Sequence, residues 1–184
     1  MSDSSHFDER PYRPNVGITL FNRAGHVLIG QTRDAGPETV TASRNWQMPQ
    51  GGIDGPEDIV AAARRELWEE TNVRSVDLLG VTDTWWTYDF PAYHGPWHKL
   101  AAFRGQKQRW VAFRFTGADS EIDVTNPAGG QPQEFFAWRW EQLARTPRLV
   151  TPFKQSVYER VAVAFAQCGR PDQATLGQAG LDRA

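Results

Sequence analysis

Three glutamates, Glu66, Glu69 and Glu70, stand at i, i+3 and i+4, and on the other side of the same stretch Ile59, Ala63 and Leu67 recur every four residues. Both spacings are helical, so one short segment reads as a helix with an apolar face to bury and an acidic face to present. The apolar stripe has to seat on other structure, and the acidic face works against stability. Like charges at these spacings cost about 0.2 to 0.5 kcal/mol per pair, and Arg65 relieves only part of this through its i+4 partner Glu69. A bound cation reverses the sign, because hard divalent ions such as magnesium take carboxylate oxygens, keep several waters and are completed by substrate phosphates. An acidic helix face taken alone usually does no more than face water, so its surroundings decide the reading.

The helix reads from about Pro56 or Asp58 to Thr71, with Asp54, Gly55, Pro56 and Asp58 competing as starting signals. Before it, Val16 to Phe21 and His26 to Thr32 read as a β-hairpin around Asn22-Arg23-Ala24-Gly25, and Arg33 to Arg44 as a surface loop before a short strand at Trp46 to Pro49. Further strands are expected at Val76 to Thr84, Arg109 to Phe115 and Phe135 to Trp140, with Pro91 to Gly105 irregular. Near the end Thr151 is placed to cap a helix that has Pro152 in its first position and Phe153, Val157, Val161 and Phe165 on its apolar face. Patterning alone gives a single α+β domain from residue 12 to 168, with a flexible arm over 1–11 and a disordered tail over 169–184.

With 40% hydrophobic and 23% charged residues, the 184-residue chain can bury a core. A net charge of -2 and a pI near 6.1 lack the basic footprint of a protein that holds long nucleic acid by its backbone, so no DNA partner is expected and an anionic substrate must be held locally. The lone Cys168 excludes an internal disulfide and reads as an inert thiol. His6, His26, His94 and His98 have no spacing that marks a metal or nucleophile site. The polar N-terminus has no signal-peptide pattern, and no stretch is long and apolar enough to span a bilayer, so a cytoplasmic protein without a membrane partner is expected, as a monomer. No glycine-rich loop ends in Lys-Ser or Lys-Thr, which argues against a P-loop.

Around the acidic helix stand Gly51, Gly52, Glu57 six residues after Gly51, Arg65-Glu66-Leu67, Glu69-Glu70 and Val73. This constellation resembles the Nudix box, which runs glycine, five residues, glutamate, seven residues, Arg-Glu-hydrophobic, one residue, Glu-Glu, one residue, glycine and a hydrophobic. One fixed position differs, because Asn72 stands where the family has glycine. Asparagine is the residue next most able to adopt the left-handed conformation that ends a helix, so the loop, helix and loop are expected to survive. The resemblance implies an α/β/α sandwich with a central mixed sheet between the carboxylate helix and the C-terminal helix. It also implies a metal-dependent hydrolase of phosphoanhydride bonds, with Arg65, Glu66, Glu69 and Glu70 catalytic and magnesium, or manganese, as cofactor.

Tyr12 to Gly17, Trp46 to Gly52 and Gly105 to Gln108 with Trp110 resemble the branch of RNA pyrophosphohydrolases and dinucleoside polyphosphate hydrolases. Within it, Val150 to Lys154 is closer to the bacterial RNA enzymes, and Trp86 to Pro91, which includes Tyr88, to the dinucleoside tetraphosphate hydrolases. The branch implies removal of pyrophosphate from the 5′-triphosphate end of RNA, with overlapping activity on dinucleoside polyphosphates. The alternatives are asymmetric cleavage of diadenosine tetraphosphate as the main activity, and a non-catalytic nucleotide-sensing module, which would often lack box glutamates present here. By similarity Glu134 joins Glu66, Glu69 and Glu70 at the metal. Arg13 and Phe153 would flank a base, Lys154 and Lys107 would contact phosphate, and Tyr88 would contact substrate. Phe153 has a second reading as core, from its register with Val157 and Val161.

Overall fold

A computed structural model describes residues 9–32, 44–94 and 96–171. The loop expected after Thr32, apart from Arg44, lies outside these residues, as do most of the N-terminal arm and of the C-terminal tail. Two long strands form the spine. β1 (Tyr12–Phe21) and β7 (Gly105–Phe115) run parallel, in register from Tyr12 opposite Gly105 to Phe21 opposite Arg114. A parallel pair needs a long crossover connection, and the acidic helix lies within it.

The free edges of the spine are shared by short strands. On β1, residues Asn15 to Gly17 pair with β4 (Gln50–Gly52), while β2 (Val27–Thr32) touches β1 only at Phe21 opposite Val27. The Asn22 to Gly25 turn forms as expected, with Gly25 at φ 81°. β2 then leaves to pair with β3 (Trp46–Gln47) and β8 (Phe135–Glu141). On β7, β5 (Val76–Val81) takes the far end and β6 (Trp86–Asp89) the near end, both antiparallel.

Strand alternation buries both faces. Val16, Ile18 and Leu20 of β1 and Val111, Phe113 and Phe115 of β7 share one core with Ala62, Ala63 and Leu67 of α1 (Ile59–Thr71). Phe21, Trp110 and Ala112 face the other way, against Val157, Tyr158 and Val161 of α2 (Gln155–Ala164). The result is the expected sandwich, with a mixed sheet between two helices. No helix among the described residues is long and apolar enough to cross a membrane.

Both ends of α1 have identifiable causes. The Asp58 side chain accepts from the backbone N–H of Val60 and Ala61, so of the competing signals Asp58 is the cap and Pro56 lies outside. At the far end Asn72 sits at φ 63°, ψ 0°, left-handed as expected, and its N–H donates to the Trp68 carbonyl. Its side chain does more than a glycine could, because Nδ2 donates to the carbonyls of Asp123 and Asn126, each at 2.8 Å.

Several boundaries differ from the expectation. β5 stops at Val81, and β7 begins at Gly105 rather than Arg109, because pairing on both edges holds polar residues extended whatever their propensity. β4 and β6 are strands that periodicity does not signal. The expected Thr151 cap is absent: Pro152–Lys154 form a tight turn, the α-helix starts at Gln155, and Phe153 precedes it. The reason is local, since the Lys154 N–H that a capping hydroxyl would take donates to the Thr151 carbonyl, leaving Thr151 Oγ1 without a partner. At the C-terminus, Arg114 donates to the carbonyls of Cys168 and Arg170, so the chain is held at least to Arg170.

Candidate active site

The second half of α1 points its acidic face along β4, and one cavity of about 670 Å³ opens there. Gly51 lets the two elements meet. A Cβ on it would lie 1.8 Å from the Glu66 carboxyl carbon, so any side chain would displace that glutamate. Beside it Arg13 lies over Gly52, where a Cβ would come within 2.2 Å of its guanidinium. Glu66, Glu69 and Glu70 all line the cavity, together with Glu134, which enters from the loop before β8.

Arg65 organises this acidic ground. Its guanidinium holds Glu57 with two bonds, at 3.0 and 2.8 Å, and donates to Glu66 at 2.7 Å, to Glu69 at 3.3 Å and to the Gly52 carbonyl at 2.8 Å. A planar five-donor group is suited to binding so many oxygens at once. The Glu57 bond raises the Arg65 pKa further, and the same pair holds the Glu57 carboxyl below its usual range. Glu57 is therefore an anchor for Arg65 and for the loop after β4, at one remove from the cavity wall.

Burial dominates Glu66 and Glu70. Glu66 is raised by burial, which outweighs the pull of Arg65. Glu70, 6% exposed, is raised well above the usual carboxylate range, first by burial and then by the nearby charge of Glu134. Its Oε2 accepts from the Gln50 N–H at 3.2 Å, while Oε1 is buried with no hydrogen-bond partner. An orphaned buried carboxylate oxygen among other carboxylates is a costly arrangement that a hard cation would relieve. Among the described residues no three acidic or imidazole side chains already stand around one point. The fit to a divalent ion rests on the donor chemistry and on the unpaired Glu70 oxygen.

Of the residues expected at the substrate, Arg13 and Lys154 line the same cavity. Lys154 is 1% exposed and donates from Nζ to Gln47 Oε1 at 3.1 Å, an unusual burial for a lysine. Tyr88, Phe153 and Lys107 are not on the cavity wall. Tyr88 is buried and donates its hydroxyl to Gln106, and Phe153 is half-buried, its ring 5.6 Å from that of Tyr88. Lys107 lies with its ammonium 5.3 Å from the Trp85 ring. Phe153 packs against the α2-side core as a partly buried side chain. The half-buried Cys168 thiol is raised by burial, away from reactivity.

Sequence reasoning missed Asn15, Gln50, Gln106, His98 and Lys99, all of which line the cavity. The signal for the amides was present as polar residues inside strands, in segments that otherwise attracted notice only as family motifs.

The model of the NUDIX domain family matches residues 11–161. This chain is a member of the Nudix family. Among its relatives is an RNA pyrophosphohydrolase of Rhodopseudomonas palustris strain BisA53, 49% identical over 172 residues, spanning 93% of this chain and 97% of that protein. An RNA pyrophosphohydrolase of Azorhizobium caulinodans is 52% identical over 159 residues, 86% of this chain and 94% of its own length. The Nudix fold is also seen in solved structures. The C. elegans Ap4A hydrolase binary complex superposes with a TM-score of 0.52 at 16% identity, over 83% of this chain and 98% of that one. The E. coli dihydroneopterin triphosphate pyrophosphohydrolase does so with 0.57 at 16% identity, over 84% and 99%. Nudix hydrolases generally use divalent metal ions, in keeping with the acidic wall described above.

Proposed function

We propose that this Nudix hydrolase removes pyrophosphate from the 5′-triphosphorylated end of RNA, with magnesium or manganese as cofactor, and that it also cleaves dinucleoside polyphosphates. The observation that carries the reading is the conjunction of near-half identity to RNA pyrophosphohydrolases along almost their full length with a complete acidic wall, Glu66, Glu69, Glu70 and Glu134, on one cavity. A nucleotide-sensing module would have no use for a buried, unpaired carboxylate oxygen held at this cost.

Glu66, Glu69, Glu70 and Glu134 would hold the metal. When bound, it neutralises the charge that spreads over the phosphoryl oxygens during attack by water. The chain's own groups do the rest. Arg65 fixes the carboxylates relative to β4, a carboxylate of the wall accepts the proton of the attacking water, and Lys154 balances the polyphosphate charge, as does Arg13, which lines this cavity rather than standing with Phe153 at a base. Phe153, Tyr88 and Lys107 sit beyond the cavity wall, so they suit the nucleoside end of the substrate better than its phosphates. Activity on dinucleoside polyphosphates rests on the likeness of Trp86 to Pro91 to the tetraphosphate hydrolases, and both reactions use the same attack on phosphorus.

The experiment offers 5′-triphosphorylated RNA and diadenosine tetraphosphate in parallel, with magnesium and with a chelator. The expected result is metal-dependent release of pyrophosphate and 5′-monophosphorylated RNA, at a higher kcat/KM than for diadenosine tetraphosphate. Cleavage of the dinucleotide alone would reject the RNA assignment.

A further inference from the structure

The cavity floor is built from carboxamides that neither the acidic wall nor the cations account for. Asn15 of β1, Gln50 of β4 and Gln106 of β7 line it, and Gln108 of β7 lies with them, fully buried. Gln108 Nε2 donates to Asn15 Oδ1 at 2.7 Å and to Gln50 Oε1 at 3.0 Å, and lies 3.4 Å from Gln106 Oε1. An amide nitrogen has two protons, so Asn15 and Gln50 take them, while Gln106 Oε1 is served by the Tyr88 hydroxyl at 2.8 Å.

The consequence lies at the other end of each amide. An oxygen committed inward to Gln108 turns its own NH₂ outward. Asn15 Nδ2 and Gln50 Nε2 have no hydrogen-bond partner among the described residues, and neither is sealed from solvent, although the two residues are only 1% and 7% exposed. What surface they keep is on the cavity. A network that served only to join β1, β4 and β7 would not need donors on its cavity side, and it already leaves the buried Gln108 Oε1 without a partner. Gln50 also couples the floor to the acidic wall, because its backbone N–H holds Glu70 while its side chain faces the cavity.

We propose that Asn15 and Gln50 form a phosphoryl-oxygen site, donating from Asn15 Nδ2 and Gln50 Nε2 to non-bridging oxygens of the substrate polyphosphate, with Gln108 as the residue that positions both. Uncharged donors fixed before the substrate arrives grip a phosphate without repelling a nearby cation and without reorganising during attack. The ligand class rests on the proposed function; the direction of the donors does not.

Two variants are needed, and Asn15→Asp keeps an oxygen to accept from Gln108 while replacing the cavity-facing NH₂ with an oxygen that can carry charge. Asn15→Leu removes the donor without adding a charge that could recruit metal. Binding of inorganic triphosphate, measured by calorimetry, is expected to weaken about tenfold or more in both, the loss of one charge-assisted hydrogen bond, and the KM for triphosphorylated RNA to rise in parallel. Asn15→Asp also places a carboxylate at a nearly buried position, so its melting temperature should fall at neutral pH, and binding is compared on the folded fraction. Unchanged triphosphate affinity overturns the proposal, as a purely strand-joining network or four amides facing the opposite way would give. So does a lowered melting temperature with normal binding by the folded fraction. If the parent binds triphosphate more tightly than Asn15→Leu yet leaves triphosphorylated RNA intact, the phosphoryl site stands and the RNA assignment falls.

Discussion

Asn72 occupies a position where the Nudix box has glycine, and replacing it with glycine sets two physical effects against each other. At φ 63° an ordinary L-residue is strained by about 1 to 2 kcal/mol, a cost that asparagine bears more easily than most and glycine avoids. On backbone conformation alone, Asn72→Gly should be neutral or mildly stabilising. The side chain argues otherwise, because Nδ2 donates at 2.8 Å to both Asp123 O and Asn126 O, tying the end of α1 to a loop more than fifty residues away. Two such bonds are worth about 1 to 3 kcal/mol together. Glycine loses both and adds backbone entropy to the unfolded chain, about 0.5 to 1 kcal/mol, so the bonds win. The expected cost is about 1 to 3 kcal/mol, which lowers the melting temperature by about 2 to 12 °C at this chain length. Asn72→Ala loses the same bonds and adds strain, and Asn72→Val adds β-branching to that strain. Thermal or urea unfolding of the four proteins should give the order Asn, Gly, Ala, Val from most to least stable. A glycine variant as stable as the parent would refute the reasoning and leave Asn72 as a mere substitute for glycine.

Asp123 tests the other side of that junction: its carboxylate accepts from the Asn126 and Thr125 side chains and backbones, which depress its pKa to about 2. A depressed carboxylate contributes stability present above its ordinary value of 3.8 and lost as pH falls toward about 2, so Asp123→Asn should flatten the stability profile in that window, measured by urea unfolding against pH. Glu70 has the opposite sign. Its raised pKa means that the metal-free protein is more stable when Glu70 is protonated and loses that stability as pH rises above 4.5, so Glu70→Gln should melt higher than the parent at neutral pH in chelator. Arg65→Lys should keep the fold but lower kcat at saturating magnesium about tenfold or more, because a point charge cannot hold Glu57, Glu66, Glu69 and the Gly52 carbonyl together; circular dichroism beside steady-state kinetics checks both halves.

How far the sequence carried depended on whether a signal was local. The acidic helix was legible because its two faces have separate periodicities and because Asp58 and Asn72 are residues of the types that start and stop helices. The same acidic face, with Gly51 close beside it, was enough to place Glu66, Glu69 and Glu70 together. The amide floor was not legible. Asn15, Gln50 and Gln108 are far apart in the chain and meet only because β4 and β7 take opposite edges of β1. Nor does periodicity tell that Lys154 is buried, since a lysine beside an amphipathic helix reads as solvated until the cavity beside it is seen. Thr151 misled for a comparable reason, because its own backbone carbonyl supplied the bond its hydroxyl was expected to make.

The carboxylates on one wall of the cavity are held to carry hydrolysis of a triphosphorylated RNA end. That role is tested most directly by the turnover of Glu70→Gln on this substrate at saturating magnesium, with folding checked by thermal unfolding. The substituted amide keeps an oxygen to accept from the Gln50 N–H, so the fold should be intact while release of pyrophosphate falls about a hundredfold or more, equivalent to about 2.7 kcal/mol of transition-state stabilisation. Turnover near that of the parent would contradict the account, because the buried carboxylate whose unpaired Oε1 carries the site assignment would then have no part in the chemistry.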